Sequence, residues 1–450
     1  MVLTTEQRTH AATDLLQQLI RNACVNDGTQ ESGHEVRSAE LLRDYLAVPG
    51  LEITEFEPSA GRRTLVARME GRDAQAPSLT LMGHTDVVPA NPDGWSRDPF
   101  GGDLDAGFVW GRGAVDMLNL TATMAVAMRE LAESGFRPRG TLTYIAIADE
   151  EAQGGWGADW LLQHHREEFA TDYIVTEMGG FQMPTPAGVR LPVIVGEKGT
   201  YWCTLRIGGT PGHASLPYRT DNALVTAAEV VRRIATYAPR ANLSATWLRF
   251  VEGMAFPPEL AHALLDPEHI EAACAELPLA LGRQVHACTH TSFAPTVMRA
   301  GTKTNVIPDR VDLELDIRTL PGVAEPEVRA MLAEALGDLS DRVEIIAAHD
   351  NIATASPVET PLWDSLAAIT GRMIAGSALV PHLFTAATDN RFFRRAGSVA
   401  YGFGLFSQRL SFEDYGTMFH GNDERIDVES LGLSTDLWVA LAEDFWEHTD

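Results

Sequence analysis

The residues able to do chemistry stand at the ends of apolar runs. His84 and Asp86 close the run Leu79–Met82 as Gly83-His84-Thr85-Asp86. In an extended segment, residues i and i+2 share a side. Asp86 can therefore accept a hydrogen bond from the far ring nitrogen of a metal-binding His84, which fixes the tautomer and raises ligand basicity. The plainer alternative is a loop histidine beside a capping aspartate. Asp116 follows Gly111-Arg112-Gly113-Ala114-Val115 and opens a helical stretch, where it would also serve as an N-cap. Asp149-Glu150-Glu151 ends the almost wholly apolar stretch Thr141–Ala148. Ligands of α/β sheets gather at the carboxyl ends of strands, and carboxylates crowded there raise one another's pKa unless cations balance them. One glutamate of the pair could bind metal while its neighbour stays free as general base; a solvated acidic turn is the alternative. Glu177 ends another strand, and His420 lies in the polar loop Met418–Arg425, where it could equally be a surface histidine. Together, two His, one Asp and two Glu make a mixed N/O donor set suited to zinc. Two metals about 3.5–4 Å apart need one carboxylate between them.

These side chains need a scaffold. Apolar residues at spacings of three and four from Thr5 onward predict a helix, and a second covers about residues 35–46. LEITEFE and RTLVARM alternate as strands. Strands at Leu79–Met82, Thr141–Ala148 and Tyr173–Thr176 alternate with helices at about 119–133 and 156–165, the pattern of an α/β sheet flanked by helices. The character changes near Gly199. Strands Tyr201–Ile207, Val311–Ile317 and Val343–Ala347 with helices at about 222–237 and 325–336 suggest a small α+β domain, and residues 241–290 carry helical pieces with few motifs. From Pro357 the α/β pattern resumes, with helix 362–375, strand 398–403 and helix 429–444. The expected organisation is a catalytic domain of residues 1–199 and 351–450 interrupted by an inserted domain, 200–350.

Composition narrows the partners. Lys+Arg number 35 against Asp+Glu 62, a net charge of −27. Such a surface repels a phosphate backbone and an anionic membrane, so neither nucleic acid nor membrane is expected as a partner. Cys24, Cys203, Cys274 and Cys288 form no CxxC pair, which fits a reducing, cytoplasmic setting better than a disulfide framework. The sequence shows no apolar leader segment and no apolar run long enough to span a bilayer.

The motifs LMGHTDVVP, WGRGAVDM, IADEE, Glu177 and FHGNDE stand in the order found in the M20 metallopeptidases, and nearly the whole chain resembles that family. The stretch Ala386–Gly404, AATDNRFFRRAGSVAYGFG, resembles its aminoacylase branch. The resemblance implies a zinc-exopeptidase-like α/β catalytic domain, its central mixed sheet flanked by helices, and an inserted α+β lid and dimerisation domain. It implies two divalent metals, zinc foremost and cobalt or manganese as alternatives, with Asp116 bridging, His84 and Glu177 completing one site, and Glu151 and His420 the other. Glu150 would be the general base and Asp86 would orient His84. His213 looks like the histidine that reaches across a homodimer to the oxyanion. Asn305, Arg318 and Arg391 look like contacts to a substrate carboxylate. The implied activity is hydrolysis of an amide bond in an N-acyl amino acid or short peptide.

Two departures bear on substrate preference. Met117-Leu118-Asn119 stands where family members often carry Lys-Gly or Lys-Asn, and the segment 241–290 exceeds the smaller members. A non-catalytic metal-binding protein on the same fold is the competing reading. A nucleotide-binding oxidoreductase lacks its fingerprint, since GxGxxG spacing after a strand is missing.

Overall fold

The stretch that ends in the three acids forms the strand Leu142–Ile147, every residue of it buried. Its alternate side chains feed two separate cores. Leu142, Tyr144 and Ala146 pack on one face with the helices Thr5–Arg21, Leu118–Ser134 and Val428–Asp444. Ile145 and Ile147 pack on the other with Leu161, Phe169 and Phe393. A strand covered on both faces has no polar side to show, hence the continuous apolar run.

The computed structural model describes residues 2–449; of the expected catalytic ranges, Met1 and Asp450 lie outside the described residues. Leu142–Ile147 belongs to a ten-stranded mixed sheet. It runs antiparallel to Arg62–Met69, which in turn pairs with Glu52–Ser59. On its other side Leu79–His84, Tyr173–Thr176 and Val399–Gly402 continue in parallel. Gly188–Glu197 and Ala378–Phe384, two strands not foreseen, extend this sheet as a parallel pair. The parallel strands place the carboxyl ends at His84, Ile147 and Thr176 on one edge, from which His84, the 149–151 turn and Glu177 project.

A second, wholly antiparallel sheet has the order Ser292–Ala300, Arg310–Thr319, Gly199–Gly208, Val343–Asn351. Helices Ala223–Ala235 and Glu325–Leu336 cover one face through Val230, Ile234, Val328 and Leu332. Where the chain enters this sheet, a Cβ on Gly199 would lie 2.5 Å from the Ala353 amide and the Asn351 carbonyl, so the two connections pass too closely for a side chain. The segment 241–290 folds as four helices whose core includes Val380 and Leu383 of the large sheet. It packs on the first body although it lies within the sequence of the second. No helix among the described residues is long and apolar enough to cross a membrane.

Candidate metal centre

Two donor groups share one aspartate. His84, Asp116 and Glu177 bring ligand atoms within 4.8 Å of one another, as do Asp116, Glu151 and His420. Asp116 Oδ1 lies 3.2 Å from His84 Nε2, and Oδ2 lies 3.1 Å from His420 Nε2. Glu177 Oε2 is 3.6 Å from the first histidine, and Glu151 Oε2 is 3.3 Å from the second. Asp116 is not a helix cap: Met117 holds that position, with no side-chain cap bond. The three-acid turn is not a solvated one, since Asp149 is buried and the Glu151 side chain is only 6% exposed. His420, by contrast, is half-exposed. Asp149, Met178 and His420 adopt left-handed backbone angles, φ 68°, 74° and 56°. Non-glycine residues hold such angles where the surroundings over-determine them, and these three lie in or beside the ligand-bearing turns.

The electrostatics fit cations. Burial opposes a charge on His84, yet Asp116 and Glu177 lift it well above the ordinary imidazole value. Hydrogen bonds to Asp116 and Glu151 raise His420 to about 10. Burial, with Asp116 nearby, pushes Glu177 up to about 8. Burial also raises Glu150 well above the carboxylate range, with Glu177 adding repulsion, and raises Glu151 beside Asp116. The Glu151 Oε1 atom is buried with no hydrogen-bond partner. Acids that crowd together, histidines drawn to protons and an orphaned carboxylate oxygen are the features that two divalent cations would relieve.

Asp86 plays a different part from the one its spacing suggests. His84 Nδ1 meets the backbone carbonyl of Asp86 at 2.9 Å, while the Asp86 carboxylate stands at 3.7 Å. That carboxylate is occupied elsewhere: it accepts from the Glu150 amide at 3.3 Å, the Glu151 amide at 3.1 Å and Asn26 Nδ2 at 2.8 Å. It thus anchors the turn that carries both glutamates. Behind it lies a buried network that sequence reasoning missed. Arg62 Nη1 donates to Glu35 Oε1 at 2.8 Å and lies 3.4 Å from Asp149, and Arg62 Nη2 donates to Asn26 Oδ1 at 3.1 Å. Glu35 Oε1 also accepts from the Asp149 amide.

Glu424 was missed too, although it ends a quoted motif. It is fully buried and accepts from the amides of Gly113, Val115 and Asp116 at 3.1, 2.8 and 3.1 Å and from Arg112 Nη1 at 2.8 Å. One carboxylate therefore sets the backbone that presents Asp116. An arginine inside one quoted motif and a glutamate closing another were the available signal.

The remaining expected residues are spread out. Arg391 is buried, and its guanidinium donates to the carbonyls of Thr388 and Gln153. Arg318, on the second sheet, is paired with Asp316 through two bonds of 2.8 and 3.0 Å. His213, exposed, pairs with Val306 in a short two-stranded ladder, and beside it the Asn305 carbonyl accepts from the Ala214 amide. No hydrogen bond or ion pair among the described residues joins either to the metal cluster.

Comparison with known proteins agrees with this geometry. The profile of peptidase family M20/M25/M40 matches residues 80–444. Aminoacylase-1 of Mus musculus is 25% identical over 442 residues, spanning 96% of this chain and 94% of the relative. The N-fatty-acyl-amino acid synthase/hydrolase PM20D1 of Homo sapiens is 27% identical over 373 residues, 80% of this chain and 73% of the relative. The crystal structure of the M20 family metallo-carboxypeptidase Sso-CP2 from Sulfolobus solfataricus superposes with a TM-score of 0.70 at 14% identity, covering 98% and 99% of the two chains. With a profile match over most of the chain and a shared fold, this protein belongs to peptidase family M20/M25/M40, a family of metal-dependent hydrolases.

Proposed function

We propose that the protein hydrolyses the amide bond of N-acyl amino acids or short peptides that carry a free carboxylate, using two zinc ions. The observation that carries this reading is Asp116, whose two carboxylate oxygens each face one histidine. His84 and Glu177 would complete one metal site and Glu151 and His420 the other, with Asp116 between them. When bound, such ions supply Lewis acidity toward the amide carbonyl and acidify water. Cobalt and manganese suit the same donors.

Glu150 belongs to neither donor group. It takes a proton from the attacking water, and as the C–N bond breaks it delivers that proton to the leaving amine. Asp86 keeps Glu150 in place through its amide. Residues 200–350, apart from the 241–290 helices that pack on the large sheet, act as lid and dimerisation domain, so that in a homodimer His213 reaches the developing oxyanion. Arg318 exchanges Asp316 for the substrate carboxylate, which it can grip with paired hydrogen bonds, and Asn305 adds a further contact. Arg391 supports the back of the 149–153 turn, because its guanidinium already bridges the Gln153 carbonyl there to the Thr388 carbonyl of its own segment. Four free cysteines fit a cytoplasmic location.

The test is Glu150→Gln in zinc-loaded protein, assayed on a panel of N-acyl amino acids and dipeptides. Metal content should stay at two per chain while kcat falls by roughly 10²–10⁴. Near-normal turnover would remove Glu150 from its role, and a wild-type protein inert toward the whole panel would remove the function.

A further inference from the structure

The loops that bring Glu177 and His420 to the metal centre also wall a separate cavity of about 120 Å³. Met178 directly follows Glu177, and Phe419 directly precedes His420. Phe181, Phe384 and Tyr415 close the sides. Ring contacts stiffen these walls: Phe181 lies 4.6 Å from Tyr415 between centroids, Phe384 meets Phe419 edge-on at 6.4 Å, and Phe419 stacks on His420 at 4.5 Å. The polar groups present carry no charge. Gln284 Nε2 lies 3.1 Å from His382 Nε2 and donates to it, and burial pushes His382 down to about 4. None of the lining residues among those described is Asp, Glu, Lys or Arg. Gln284 comes from the helix Leu279–Thr289, so the 241–290 segment supplies one wall of this cavity. Phe412 and Gly416 are exposed and mark its mouth.

We propose that this cavity is the specificity pocket of the site and takes a short, uncharged apolar group of the substrate. The proposal rests on the amidohydrolase reading, since it needs a scissile bond beside His420 and Glu177. Three features argue for it: walls that are chain neighbours of two metal ligands, with Phe419 stacked on His420, aromatic lining, and the absence of a charge to pair with. A charged terminus buried there would lose its water without gaining a partner. The size sets an upper limit. An apolar cavity of about 150 Å³ holds a benzene-sized ligand, so this smaller one suits a butyryl to hexanoyl chain or a side chain such as norleucine. A longer chain must pass Phe412 into solvent and gains little more.

The group could belong to the acyl half or to the amino-acid half, and two substrate series separate these. In one, N-acyl-alanines run from acetyl to decanoyl. In the other, N-acetyl-amino acids run from glycine to norleucine. One series should show kcat/KM rising about fourfold per methylene, the value of a buried CH₂, and then levelling near six carbons; N-succinyl-alanine should be poor. The variant Gly416→Leu narrows the mouth without straining the fold, because a Cβ at Gly416 meets nothing within 4 Å. It should lower the ratio of kcat/KM for the long member over the shortest at least tenfold, and Gly416→Ser should not. Flat dependence in both series, or equal loss across chain lengths, overturns the pocket. Calorimetric binding of N-hexanoyl-alanine and N-acetyl-norleucine separates this from failure of the function. If neither is hydrolysed but one binds, at least tenfold more weakly to Gly416→Leu, the pocket stands and the hydrolase reading falls. If neither binds, or the variant binds as tightly as the wild type, the pocket falls.

Discussion

Removing the Asp86 carboxylate should weaken one metal position and spare the other. In Asp86→Ala the His84 ring keeps its bond, because that bond runs to the backbone carbonyl at 2.9 Å. The amides of Glu150 and Glu151 lose their acceptor. Asn26 is not stranded, since its Nδ2 also reaches Asp149 Oδ1 at 3.1 Å. A hydrogen bond to a charged group contributes about 1.5–3 kcal/mol, so the two amides lose roughly 3–6 kcal/mol before the turn relaxes. Loss of an outer partner typically lowers metal affinity 10–100-fold, or about 1.4–2.7 kcal/mol; the rest should appear as lost folding stability. The assay is chelator competition in two backgrounds. His420→Ala leaves the His84, Asp116 and Glu177 group, and Glu177→Ala leaves the Asp116, Glu151 and His420 group. Adding Asp86→Ala should cut affinity about 10–100-fold in the second background and by less than about threefold in the first. Equal loss in both, or the greater loss in the first, would refute the turn-anchoring argument and return Asp86 to the service of His84.

Other substitutions probe neighbouring parts of the design. Glu424→Ala leaves Arg112 buried without its carboxylate and should cost about 3–5 kcal/mol in urea denaturation, while Glu424→Gln, which keeps an acceptor oxygen, should cost less. Stripping the metals should lower Tm, because each ion present at about 100 times its Kd adds about 2.7 kcal/mol; a Tm that ignores zinc concentration would contradict the donor clusters. His382, lowered by burial from 6.5 to about 4, binds fewer protons folded than unfolded between those values. Stability should therefore fall as pH drops from 6.5 toward 4, by up to about 3 kcal/mol from this group. His382→Leu should flatten that part of the pH–stability curve; an unchanged slope would mean His382 takes its proton without penalty.

The candidate metal ligands, which the fold gathers into two donor groups, were legible in the sequence for a physical reason. His84, Glu151 and Glu177 stand where buried apolar runs stop, and a parallel sheet lines up those stops on one edge. The strand 141–148 was equally plain, because burial on both faces leaves no polar positions. Residues that act through partners distant in sequence were not legible. Nothing local separates Arg62, 1% exposed and surrounded by Glu35, Asn26 and Asp149, from its neighbour Arg63, 19% exposed and paired with Glu57. Asp86 lies two residues past the strand end at His84, with its carboxylate 3.7 Å from the His84 ring, but three N–H donors from other segments draw that carboxylate to a different task. The strands Gly188–Glu197 and Ala378–Phe384 pair across almost two hundred residues, and the 241–290 helices settle on the second of them. Local chemistry wrote the candidate donor set into the chain; which acids are drawn into one group, which carboxylate holds which turn and what encloses the apolar cavity depended on contacts that only the closed fold brings together.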